Sequence, residues 1–423
     1  NLSTQEQSQV LQRPVQMSAQ SLENNVRAIG DAIQQEGDAA LIRFTEKFDK
    51  TTLTDVVLPQ SAFAEAEKNL SNEFKQAIQN AYSNIYKFHA AQKPEPISIE
   101  TQKGVLCEVL TRPIEKVGLY IPGGTAPLFS TVLMLAIPAK IAGCKRIVLA
   151  SPPTIADEII YAAKLCGIDT IYTMGGAQAV FALGLGTEKV EKVDKIFGPG
   201  NSYVTEAKRQ VSQMMNGAAI DMPAGPSEVL VIADDNANPD FVASDLLSQA
   251  EHGTDSQVIL VTTSQAMADK VNVALDYWLN QLSRKDTALE SLKNSTTIIV
   301  DSLNEAVIVS NLYAPEHLII QTDDARNLLD DIQHAGSVFL GQYSAESMGD
   351  YASGTNHVLP TYGYAKTVSS FGLADFSKRM TVQEISEDGL KDLGPVVSLL
   401  AEKELLDAHK LAVDIRLKTI LGE

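Results

Sequence analysis

The chain has 423 residues, of which 44% are hydrophobic, 21% charged and 6% aromatic, with a formal net charge of −19. That length exceeds what one hydrophobic core supports and calls for at least two folding units, and the composition leaves room for disorder only in about the first dozen residues. An acidic chain without a Lys/Arg block repels polyanions, which excludes nucleic acid and anionic membrane as partners.

From 18 to about 92, apolar residues recur at three- and four-residue intervals, as in Val26, Ile29 and Ile33 and in Phe74, Ile78, Tyr82 and Ile85. This spacing predicts a helical scaffold. Short β-branched runs then alternate with glycine turns and amphipathic stretches, the pattern of parallel strands joined by crossover helices. The first series predicts strands at 116–121, 146–150 and 170–173, with helices near 130–142, 155–166 and 178–183. The second predicts strands at 229–232, 258–261 and 297–300, with helices at 240–250 and 267–279. Two such series imply an α/β protein with two Rossmann-like, incomplete, doubly wound parallel sheets from a duplication. Ligands bind such sheets beyond the carboxyl ends of the strands, so the turns Pro122-Gly123-Gly124, Gly175-Gly176 and Gly198-Pro199-Gly200-Asn201 are expected to line a cleft. After about Phe371 the pattern is again helical, and Leu400, Leu405, Leu411 and Ile415 offer an apolar face for another subunit or for the chain itself. The apolar run 132–141 is broken by Pro138 and Lys140 and is too short to span a bilayer. Asn1-Leu2-Ser3-Thr4-Gln5 lacks the pattern of a secretory signal, so a cytoplasmic location is expected.

Chemistry is sparse enough to weigh residue by residue. Cys107, Cys144 and Cys166 form no C-x-x-C spacing and read as small buried hydrophobes. Of the six histidines, His89 and His334 sit in helical patterns and receive no role. His252, His317, His357 and His409 stand beside acids or amides in polar segments. Gln249 and His252, three apart on a helix, share one face and can bite one ion, and Asp350 after a Ser347-Met348-Gly349 turn can add a carboxylate. No spacing equals a strong zinc signature, so composition alone leaves metal binding open. Glu316-His317, in a loop after Pro315, reads as an acid/base pair, because histidine titrates near neutrality. G-x-G-x-x-G is missing from both α/β series, which counts against a standard dinucleotide site. The turns at 122–124 and 198–201 still let backbone N–H groups approach phosphate or ribose.

Five long segments, taken together and in order, resemble the histidinol dehydrogenase family. They are Gly198-Pro199-Gly200-Asn201, the run 221–228 ending in Pro226-Ser227-Glu228, the run 245–253 with Gln249-Ala250-Glu251-His252-Gly253, the run 311–318 with Pro315-Glu316-His317-Leu318, and the run 349–360 with Gly349-Asp350 and Asn356-His357. The resemblance covers nearly the whole chain. It implies one zinc ion per subunit held by Gln249, His252, Asp350 and His409, with substrate completing the shell. It implies Glu316 and His317 as the catalytic pair, and Ser227, Gln249, His252, Glu316, Asp350, His357, Glu404 and His409 as substrate contacts. Tyr120, Gln178 and Asn201 become NAD contacts. The implied reaction is the two-step oxidation of L-histidinol through L-histidinal to L-histidine, in a homodimer whose tail, with Glu404 and His409, reaches the neighbouring active site. On one ideal helix those two side chains would lie about 140° apart. The implied layout is an N-terminal extension (1–15), a discontinuous α/β domain with the zinc and acid/base residues (16–119 with 230–370), an NAD-binding α/β domain (120–229) and a helical tail (371–423). Rival expectations are a zinc hydrolase with Glu316 or Glu251 activating water, a binding protein without chemistry, and a thiohemiacetal on Cys144 or Cys166.

Overall fold

The aliphatic runs become strands because both faces of a parallel sheet are covered by helices, which removes any advantage of polar alternation. In the computed structural model, which describes residues 9–14, 19–123, 127–222 and 225–422, strands Glu228–Ala233 (β8) and Gln257–Thr262 (β9) are buried along their whole length. The first parallel sheet holds β3 (Lys116–Tyr120), β4 (Arg146–Ser151), β5 (Ile171–Thr173), β6 (Lys195–Phe197) and β7 (Ala219–Ile220), in the order β5-β4-β3-β6-β7. The second holds β8, β9, β10 (Thr296–Ile299), β11 (His317–Gln321) and β12 (Ser337–Leu340), in the order β10-β9-β8-β11-β12. Each sheet therefore repeats one order, third, second, first, fourth, fifth, as a duplicated α/β unit would.

Helices Ala19–Glu36, Asp38–Asp49, Ser61–Asn69 and Asn72–Ala90 dock their apolar stripes on the helices that cover the first sheet. Val26, Ile29 and Ile33 pack with Tyr172 and Phe181, and Phe63, Ile78 and Ile85 pack with Val117 and Leu119. The buried cores of the second sheet begin only at Val229. Grouping 16–119 with 230–370 therefore needs correction. The N-terminal helices belong with the first sheet because they bury their stripes against its crossover helices, and β3, at 116–120, is that sheet's central strand.

The expected helical tail from 371 also changes. Strand β13 (Ser377–Ile385) runs antiparallel to β2 (Val105–Pro113), which pairs in turn with β1 (Ile97–Gln102). Only after it come the helices Glu387–Lys403 and Asp407–Leu421. β13 is mostly exposed and polar, so no apolar alternation announces it, and its full-length ladder with β2 holds it. No helix among the described residues is long and apolar enough to cross a membrane.

Candidate active site

Strands β3 and β6 are neighbours whose crossovers leave in opposite directions, so a crevice opens beyond their carboxyl ends. It is a cleft of about 660 Å³ lined by Tyr120, Pro122, Gly123, Gly176, Gln178 and Asn201, among others. Gly124 of the expected turn lies outside the described residues. The Tyr120 hydroxyl accepts the Gly176 N–H at 3.0 Å, and burial pushes its phenol up to about 12. Asn201 caps helix Ser202–Gln213, its Oδ1 accepting the N–H groups of Tyr203 and Val204. Gly198 has φ +127°, and a Cβ there would meet the Tyr120 carbonyl oxygen at 2.0 Å. Only glycine brings the two strand ends this close. The Gly198 N–H donates to Asp221 Oδ2 at 2.7 Å, the Gly198 carbonyl accepts from Lys208 Nζ at 2.9 Å, and Lys208 and Asp221 form a buried ion pair.

The second sheet uses its opposite edge. β8 and β11 lie side by side with His317 beside Val229, so Ser227, Glu228, Glu316 and His317 gather at the amino ends of these strands. His317 opens β11 and is buried instead of lying in a loop, because the run after it is a core strand. Glu316 Oε2 accepts the Glu228 N–H at 2.8 Å, and His317 Nδ1 lies 3.1 Å from the Glu228 carbonyl oxygen. Nδ1 thus carries a proton and donates it to the carbonyl, and Nε2 lies 3.5 Å from Asp350 Oδ1. Helix Pro239–Ala250 returns from β8 and delivers Gln249 to the same edge, with His252 just beyond its end. His252 Nδ1 donates to the Ser248 carbonyl at 2.9 Å. Residues 347–349, expected as a turn, are helical within Glu346–Tyr351, so Glu346 and Asp350 share a face one turn apart. Glu346 Oε1 accepts a hydrogen bond from Gln249 Nε2. His357 joins the two units, with Nδ1 2.8 Å from the Asp350 carbonyl and Nε2 3.1 Å from Thr131 Oγ1 at the start of helix Phe129–Ala142.

Charge in this cluster is strongly mutual. Burial alone lowers the His317 imidazole, but the carboxylates of Glu316, Glu346 and Asp350 outweigh it and raise it well above its ordinary value. Burial pushes the Glu346 carboxyl up to about 8 despite His317 nearby. Burial also works against ionisation of Asp350, yet His317, His357 and His252 hold it below the ordinary carboxylate range. Among the described residues, Gln249 Oε1, Glu346 Oε2 and His317 Nε2 are buried with no hydrogen-bond partner. Ligand atoms of His317, Glu346 and Asp350 lie within 4.8 Å of one another. Lone pairs converging in this way fit a divalent cation of nitrogen and oxygen preference.

A family model described as histidinol dehydrogenase matches residues 11–417. The chain belongs to the histidinol dehydrogenase family. Histidinol dehydrogenases of Mannheimia succiniciproducens and of Campylobacter jejuni strain RM1221 are each 61% identical to it over 420 residues, covering 99% of this chain and 98% of theirs. The crystal structure of histidinol dehydrogenase from Elizabethkingia anophelis superposes with a TM-score of 0.97 at 52% identity, covering 100% of this chain and 98% of that one. Membership in the histidinol dehydrogenase family makes the chain an NAD-dependent oxidoreductase.

For a histidinol dehydrogenase the expected site divides unevenly. Gln249, His252, Asp350, Glu316, His317 and His357 share one locality with Ser227. Tyr120, Gln178 and Asn201 share the cleft of the first sheet. Pro223 and Ala224 in the run 221–228 lie outside the described residues. Glu404 and His409 do not join the cluster: both are exposed, and among the described residues no hydrogen bond or ion pair links either to it. They also sit on separate helices, Glu404 capping one and His409 opening the next across Leu405 at φ 59°, so a single-helix separation does not apply. Sequence reasoning missed Glu346, whose i,i+4 spacing to Asp350 was the available signal. It also missed Arg13, whose partner Glu228 is distant in the chain.

Proposed function

We propose that the chain catalyses the zinc-dependent, two-step NAD-linked oxidation of L-histidinol through L-histidinal to L-histidine, the last steps of histidine biosynthesis, as a cytoplasmic homodimer. The observation that carries this reading is the buried gathering of His317, Glu346 and Asp350, with Gln249 bonded to Glu346 and the Glu316 carboxylate 3.6 Å from His317. Gln249, His252, Asp350 and a His409 from a second copy of the chain would hold zinc, which when bound grips the imidazole nitrogen and amine of the substrate. Tyr120, Gln178 and Asn201 would hold NAD, which would supply the hydride acceptor for each oxidation.

The remaining work falls to side chains. His317 Nε2 takes the proton of the substrate hydroxyl, because its other nitrogen is committed to the Glu228 carbonyl. Glu316, fixed by the Glu228 N–H, takes a proton from the water that hydrates the aldehyde while His317 returns its proton to the aldehyde oxygen, and the freed Nε2 then removes the hydrate proton for the second oxidation. Glu346 accepts the Gln249 amide N–H and so fixes the side chain that carries the ligand oxygen. Ser227, His357 and Glu404 orient the substrate.

The compact spacing of His317, Glu346 and Asp350 favours a second arrangement, with the cation among those three. It would consume the base that the alcohol needs, and the two arrangements separate in Glu346→Gln. If Glu346 only orients Gln249, cobalt-substituted enzyme keeps its visible spectrum, whereas direct ligation predicts a changed one. The whole reading is tested by counting NADH per histidinol consumed, with and without a chelator. Two NADH per substrate, lost on chelation and restored by zinc, is the expected result; one NADH, or chelator-insensitive turnover, would refute it.

A further inference from the structure

We infer that Arg13, in the N-terminal segment, is a positioning residue for the acid/base pair, acting through Glu228. Arg13 Nε lies 2.6 Å from Glu228 Oε1 and its Nη2 lies 3.0 Å from Oε2, a two-pronged contact that fixes the carboxylate in a plane. Nη2 also donates to the Tyr313 carbonyl at 2.8 Å, and the guanidinium lies 4.0 Å over the Tyr313 ring. The Tyr362 N–H donates to Glu228 Oε1 at 2.9 Å, the Tyr362 hydroxyl donates to the Pro14 carbonyl, and Gln257 Nε2 donates to the Gln12 carbonyl at 3.1 Å, so the segment is tied down on both sides of Arg13. The Glu228 side chain is 2% exposed. A carboxylate buried that deeply weakens a core unless something requires its exact placement.

The main chain of Glu228 shows what is placed. Its N–H holds Glu316 Oε2 and its carbonyl holds His317 Nδ1, so the two groups that move protons hang from opposite ends of one residue. β8 begins at Glu228, and the anchored side chain fixes where the strand starts relative to β11. The path from Arg13 to the reacting atoms thus runs through one carboxylate and one peptide unit. No titration of the cluster is involved.

The inference rests on the reading of Glu316 and His317 as the acid/base pair, so His317→Asn is the control. Arg13→Met and Arg13→Lys are assayed as zinc-loaded enzyme, with kcat and KM for histidinol measured and zinc content determined for each. Displacement of the pair by a fraction of an ångström should lower kcat of Arg13→Met by on the order of 10²-fold, with KM and zinc content near wild type. Arg13→Lys keeps the charge but not the fork and should fall between. A structural role alone would lower the yield of folded protein and leave kcat per zinc-loaded site intact. Wild-type kcat in Arg13→Met, with His317→Asn inactive, overturns the inference; wild-type kcat in His317→Asn overturns the reading beneath it. Should Arg13→Met fail to fold, Arg13→Lys decides alone, reduced kcat at unchanged KM supporting the inference and unchanged kcat ending it.

Discussion

His317 has one nitrogen committed to a carbonyl and the other buried beside Asp350, so Nε2 is the nitrogen left to exchange a proton with substrate. The cysteines offer the opposite case. Burial pushes the thiols of Cys144 and Cys166 each up to about 12, and both pack into the hydrophobic core under the first sheet. At neutral pH a thiol of that strength is ionised to only about one part in 10⁵, too little for a nucleophile serving aldehyde oxidation. Changing both to Ala should leave NADH formation from histidinol within a few-fold of wild type, while each small cavity costs on the order of 1 kcal/mol in thermal unfolding. A folded but inactive double variant would restore the thiolate route. His89 keeps the unassigned status its helix suggested. It is buried, burial lowers its pKa, and its nitrogens are spent on the Ile85 carbonyl and on Asn356, which ties the helix to the loop carrying His357.

At the scale of elements, the two parallel sheets put opposite edges to use: the first its carboxyl edge, the second its amino edge at Glu228 and His317. That inversion could not be read from the chain, because strand polarity in space depends on packing between units. What was legible follows from length and covering. β3, β4, β8 and β9 are long aliphatic runs and stand within about a residue of their expected bounds. β6 and β7, with three and two residues, are too short to leave a pattern. β11 was hidden behind the chemistry of Glu316-His317, and β13 behind its polar surface. The donor positions were legible through long motifs, whereas Arg13 and Glu346 act through partners far along the chain. One element-scale consequence concerns Gly198, whose N–H and carbonyl are clamped by Asp221 and Lys208. Burial raises the Asp221 carboxyl, against the pull of the Lys208 ammonium and the Gly198 N–H. Lys208→Met should cost about 3–5 kcal/mol of stability by leaving that charge unpaired. With the loop released, KM for NAD should rise several-fold while zinc content stays unchanged. Steady-state kinetics at varied NAD with metal analysis checks both, and an unchanged KM would detach the loop from cofactor binding.

For the whole molecule the decisive feature is a helical tail that the single chain leaves uncovered. No residue of helix Asp407–Leu421 is buried, and Leu400, Leu405, Leu411 and Ile415 are between 52% and 85% exposed. Such an exposed apolar stripe marks an interaction surface, and the second copy of the proposed homodimer would supply the cover. The body of the chain gathers Gln249, His252 and Asp350, while His409 stays on the exposed helix. If that helix completes the neighbour's site, a mixture of two inactive proteins should recover activity. In a dimer of His317→Asn with His409→Asn, one site receives both changes, and the other pairs an intact body with an intact tail. Random exchange at equal concentrations makes half the dimers mixed, so about a quarter of wild-type turnover is expected. The measurement is NADH formation after mixing, with subunit exchange verified by differently tagged chains. Should each site be built from one chain alone, every site in the mixture carries a lesion, and activity stays at the level of the separate variants.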